Sequence, residues 1–92
     1  MISLAEAIET ALLAHPAVVR LDGGPHNAIA TYRTGGRLVG VAVTDPAGPV
    51  EIAVVLRFGR PVPAVLAELR RSVRDIAGQV KVDVTVSDIT GI

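Results

Sequence analysis

The chain contains no cysteine and no tryptophan, and its aromatic side chains are limited to Tyr32 and Phe58. Without cysteine there are no disulfide staples and no thiolate-held zinc. With two aromatics there is no base-stacking platform of the kind that sheet-borne RNA readers need. Net charge is missing as well, because nine basic and nine acidic residues cancel. A neutral domain has no long-range field to draw it to nucleic acid or anionic lipid, and little self-repulsion to oppose association. No window reaches the roughly 18 consecutive apolar residues of a membrane span, and no basic region followed by an apolar run opens the chain. These features predict a cytoplasmic protein with no direct membrane insertion and no nucleic-acid partner.

What is there is aliphatic. Half of the 92 residues are hydrophobic, with valine and alanine dominant. That length makes a single α+β domain over residues 1–92, close to the lower size limit for folding without staples. Eight of the nine basic residues are arginine and only Lys81 is lysine, a usage that points to a GC-rich bacterial genome.

Ser3-Leu4-Ala5-Glu6 reads as a capping box, with Ile2 placed to staple the chain ahead of it. The helix that follows is expected to reach Ala14, since Pro16 disfavours helical geometry at His15. Leu4, Ile8, Ala11 and Leu12 share one face. Ala17 to Leu21 is a short strand ending at the Asp22-Gly23-Gly24-Pro25 turn. Ala28 to Arg33 and Arg37 to Thr44 read as two strands of a hairpin joined through Gly35-Gly36. A second turn occupies Asp45-Pro46-Ala47-Gly48.

The second half carries the clearest pattern. Val50 to Phe58 alternates, with Val50, Ile52, Val54, Leu56 and Phe58 on one face and Glu51, Ala53, Val55 and Arg57 on the other. Pro61 and Pro63 fit a helix start, and Gly78 fits its stop. Between them Val62, Val65, Leu66, Leu69, Val73, Ile76 and Ala77 form an apolar stripe. Val80 to Val86 alternates again. Strict alternation implies a sheet covered on one face and more open on the other. The expected fold is therefore a two-layer sandwich, a mixed, mostly antiparallel β-sheet with two helices packed on one face. A right-handed crossover is expected if the last two strands are parallel.

Reaction chemistry is not legible. His15 and His26 occupy loop positions with no second ligand at metal spacing, which makes them turn or surface residues. Asp83 and Asp88, five apart on one strand, are expected on opposite faces, so they form no carboxylate pair. The glycine pairs open neither a helix nor a phosphate loop. Ser3, Ser72 and Ser87 lack a nucleophile-elbow context. The expectation is no catalytic residue, no metal and no cofactor. What remains is a candidate partner-docking surface of Arg70, Arg71 and Arg74 on the second helix, flanked by Arg57 and Arg60. It competes with a plain solvated face in which Arg71 pairs Asp75 at four-residue spacing.

Phe58-Gly59 closing an alternating strand, the proline-started amphipathic helix, and Val84-Thr85-Val86-Ser87-Asp88-Ile89 together resemble the alkaline shock protein family. These are small envelope-stress proteins of Gram-positive bacteria. Ala30-Thr31-Tyr32, Gly40-Val41-Ala42-Val43 and the opening helix fit as well, so the likeness covers nearly the whole chain. His15-Pro16-Ala17-Val18 departs from the usual Pro-Gly-Val after the first helix. The resemblance implies a non-enzymatic scaffold that self-associates or pairs with a related subunit, held at the inner face of the cell membrane by a membrane-embedded anchor protein and linked to envelope homeostasis. Two other readings stand beside it. One is a small regulatory ligand-binding module using the loops at Gly23-Gly24 and Gly35-Gly36, and the other a single-strand RNA-binding domain.

Overall fold

The computed structural model describes residues 3–91. The Ser3 hydroxyl accepts from the Glu6 N–H at 3.1 Å and so satisfies one of the free amides at the start of α1 (Leu4–Leu13). The reciprocal half of the capping box is not built. The Glu6 carboxylate lies 3.6 Å from the Arg33 guanidinium instead. The staple expected from Ile2 falls outside the described residues.

The remaining elements are β1 (Val18–Leu21), a 3-10 turn at Pro25–Asn27, β2 (Ala30–Arg33), β3 (Gly36–Val39), β4 (Val41–Val43), β5 (Val50–Arg57), α2 (Val62–Ala77) and β6 (Val82–Thr90). β5 is the axis of a four-stranded sheet. β6 lies parallel along one side of it from Val50 to Arg57. Along the other side two antiparallel strands share its length, β4 opposite Val50–Ile52 and β1 opposite Val54–Leu56. Ala53 bridges the gap, donating to the Gly40 carbonyl at 3.0 Å and accepting from the Asp22 N–H at 3.1 Å.

Both helices cover the same face of this mixed sheet, as the alternation predicts. Ile8 and Leu12 of α1 and Val65, Leu69 and Val73 of α2 join Ile52, Val54, Leu56, Val41 and Val82 in one buried cluster. Fully burying an aliphatic side chain of this size contributes about 1.5–3 kcal/mol. α2 starts at Pro61-Val62 and stops at Gly78, whose N–H donates to the Arg74 carbonyl.

Five expectations need correction. First, Arg37 to Thr44 is not one strand. Gly40, at φ 98°, breaks it, so β3 stays in the two-stranded hairpin with β2 while β4 joins the main sheet. Second, the hairpin loop is Thr34-Gly35, because Gly36 already pairs with Arg33. Third, β5 ends at Arg57, and Phe58 swings out to 64% exposure instead of closing the core. Ile76 likewise leaves the α2 stripe at 37% exposure.

The fourth correction concerns the far face of the sheet. Ala53 and Val55 point away from the helices yet are wholly buried. Here the Ser87 hydroxyl reaches Asp22 at 2.5 Å, and the chain following β1 packs Gly24 near Ala53. The centre of this face is covered. Fifth, β6 begins at Val82 and runs on to Thr90 through a bulge at Ser87. That extra residue puts Asp83 opposite Glu51 and Asp88 opposite Val55, so both aspartates lie on one face.

Leu38 of the hairpin is buried in the same cluster as Val41, and one side chain hydrogen-bonds the hairpin to β4. The Thr31 hydroxyl donates to the Val41 carbonyl at 2.6 Å and accepts from the Val43 N–H at 3.1 Å. It takes the place of the neighbouring strand that β4 lacks on that side.

Candidate functional site

The five arginines singled out in the sequence do not form one patch. Arg70 and Arg74 turn toward the chain leading into β6, where their Nε atoms donate to the Val82 and Val80 carbonyls at 3.3 and 3.1 Å. Both are tied to the backbone, holding the end of α2 against the start of β6. Arg71 is exposed, and its expected ion pair with Asp75 is not formed. Together with Ala67, Asp75 and Gln79 these three arginines line a shallow, open groove.

Arg57 and Arg60 stand at the other end of α2. Arg60 grips Glu68, with Nη1 donating to Oε1 at 3.1 Å and Nη2 to the other carboxylate oxygen. His15 Nε2 meets the same carboxylate at 2.7 Å. These contacts, the Arg60 guanidinium first and the imidazole second, pull the Glu68 carboxyl down to about 2. Arg57 has no carboxylate partner among the described residues, and its Nε donates to the Pro16 carbonyl at 3.4 Å.

Between these two arginines opens a cavity of about 230 Å³ at the C-terminal ends of the parallel strands β5 and β6. Leu56, Phe58, Val62, Val65 and Ile89 line it, and the exposed flanks of Phe58 and Ile89 continue the apolar surface outward. Open parallel sheets place ligands at this end of their strands. Sequence reasoning identified Phe58-Gly59 and the proline-started helix but not the hole between them. Its far wall, Ile89, arrives from the next strand only when β6 pairs with β5.

The second feature missed in the sequence is the outer edge of β6, which among the described residues pairs with β5 alone. The Val50 N–H donates to the Lys81 carbonyl at 2.8 Å, so the alternating residues Val82, Val84 and Val86 turn both peptide groups away from β5. Each end of that edge is closed locally. Arg70 occupies the Val82 carbonyl, and the Ile89 N–H donates to its neighbour's carboxylate, Asp88 Oδ1, at 2.8 Å. Between these stops, Val84 and Val86 present two donors and two acceptors placed symmetrically about Thr85. Strict alternation in the sequence marked the strand, but not that it would be an edge.

The glycine loops proposed as ligand-facing do not frame the apolar cavity. A side chain at Gly35 or Gly36 would meet open space, whereas Gly24 belongs to a shallow groove with Asp22, Thr85 and Ser87 on the sheet's far face. In that groove the Ser87 hydroxyl, then the Gly24 N–H, hold the Asp22 carboxyl below its ordinary range. Tyr32 lies isolated on the hairpin at 80% exposure, with no second aromatic beside it. Among the described residues no three His, Asp or Glu side chains gather at metal-binding distance, and no helix is long and apolar enough to cross a membrane. No family model, curated protein or solved structure matches the chain.

Proposed function

We propose that this chain is a non-enzymatic interaction protein that associates with a second copy through the outer edge of β6. It acts in envelope homeostasis in the manner its resemblance to the alkaline shock proteins implies, docked at the cytoplasmic membrane through a partner. The observation that supports this is the open window at Val84 and Val86. Two such edges laid antiparallel about Thr85 pair Val84 with Val86 of the other copy twice, and each pairing exchanges two backbone hydrogen bonds. The resulting sheet would run through both molecules, and Thr85 would face its own counterpart across the axis, a favourable cross-strand pair. Zero net charge opposes this contact little.

Light scattering across a concentration series tests the pairing. The wild type is expected to pass from monomer to dimer. Val84→Pro removes an outward N–H while leaving the ladder to β5 intact, and is expected to remain monomeric. A wild type that stays monomeric throughout, or a proline variant that dimerises equally, would sink the edge. Membrane docking is read by fractionating the native host. The protein should sediment with membranes and be released by an alkaline wash, and wholly soluble recovery would remove that part of the reading.

A further inference from the structure

We propose that the cavity between β5, β6 and the start of α2 binds a soluble medium-chain carboxylate. The tail would occupy the hole and the carboxylate would meet Arg57. This site is independent of edge pairing, since it opens at the end of the sheet and not along the β6 flank.

Two properties on the page select that ligand. The first is size and lining. At about 230 Å³ the space is larger than the roughly 150 Å³ apolar cavities known to take up benzene, and Leu56, Val62, Val65, Phe58 and Ile89 supply apolar walls. Phe58 and Ile89 remain 64% and 42% exposed around the opening, so a tail seated there covers apolar surface that the fold itself leaves wet.

The second property is charge. Two arginines, Arg57 and Arg60, line the cavity, but they are not equivalent. Arg60 is neutralised by Glu68. Arg57 is held in place by the Pro16 carbonyl through Nε and has no acidic partner among the described residues, which leaves its terminal nitrogens for a carboxylate. A cation with no acidic partner among the described residues, beside an apolar hole, favours an amphiphilic anion over either of its halves. A neutral alcohol fills the hole but leaves the cation unmatched, and acetate matches the cation but leaves the hole empty.

The test uses the full-length protein with a series from acetate to octanoate, at fixed ionic strength and below micelle formation. Binding is followed through the NMR methyl signals of Leu56, Val62, Val65 and Ile89. Affinity should rise roughly fourfold per added methylene until the cavity is full. Arg57→Gln, a surface substitution whose fold is checked by circular dichroism, should weaken octanoate roughly tenfold or more. Binding of 1-octanol should be weaker than that of octanoate and indifferent to the same substitution.

Three results would overturn the proposal. One is the absence of saturable shifts at these methyls with octanoate in the millimolar range. Another is equal octanoate affinity in Arg57→Gln. The third is methyl shifts that grow with protein concentration alone, which would mean that a second copy fills the cavity.

Discussion

His15 Nε2 stands 2.7 Å from Glu68 Oε1, joining the turn after α1 to the middle of α2 across 53 residues of sequence. The Ala17 N–H donates to Nδ1 at 3.0 Å, so the ring proton sits on Nε2 and points at the carboxylate. Arg60 occupies the remaining oxygen of Glu68. The turn after α1 and the residue just ahead of α2 are thus pinned at one carboxylate of α2.

The pH dependence follows from that geometry. The Glu68 carboxyl is lowered from an ordinary 4.5 to about 2, chiefly by the Arg60 hydrogen bonds and then by His15. A carboxyl whose folded value is depressed stabilises the fold above its unfolded value and loses that contribution as pH falls through the folded one. The stability advantage of the wild type over Glu68→Gln should therefore shrink between pH 4.5 and about 2. Because the pair is partly exposed, salt should reduce the advantage as well. Thermal melts of both proteins across that range check it, and an advantage undiminished at the acid end would refute the assignment.

Thr31 is expected to matter more than a half-exposed threonine on a hairpin normally would. Thr31→Val keeps the shape but strands the Val41 carbonyl and the Val43 N–H, at a cost of about 1–3 kcal/mol. Thr31→Ser retains the hydroxyl and should recover most of that loss. Urea denaturation measures the stability, and amide exchange at Val43 should accelerate in the valine variant alone.

Gly40 and Gly35 both have positive φ, 98° and 87°, yet substituting alanine should affect them unequally. A Cβ at Gly35 meets open space, so the cost is the backbone strain of about 1–2 kcal/mol. At Gly40 it would lie 2.5 Å from the Leu21 Cβ and 3.2 Å from the Asp22 carbonyl oxygen. Overlap there adds roughly 1–3 kcal/mol to the strain. Equal losses in the two variants, measured by denaturant titration, would show that the close approach at Gly40 carries no weight.

Much of the fold was legible because it is governed by short-range rules. The cap at Ser3, the span of α2 from Val62 to Ala77 with its stop at Gly78, and the alternation of β5 each depend on residues within a turn or two of one another. The candidate arginines were legible only as a list. Where each guanidinium ends depends on which backbone carbonyl or carboxylate the packed chain brings near it. Arg70 and Arg74 were drawn to the chain entering β6, Arg60 to Glu68, and the expected Arg71–Asp75 pair lost to exposure.

Composition and periodicity by themselves determined an aliphatic, two-helix α+β domain with no staples, because burial of valine-rich faces leaves few other ways to exclude water. Only the tertiary structure decided that Gly40 sends β3 and β4 into different sheets, and that the Ser87 bulge brings both strand aspartates to one face. It alone also left β6, among the described residues, with one unpaired edge and framed an open cavity between Leu56 and Ile89. These depend on register and on contacts between residues far apart in the chain, where shifting a strand by one position exchanges its faces and no local pattern records the choice.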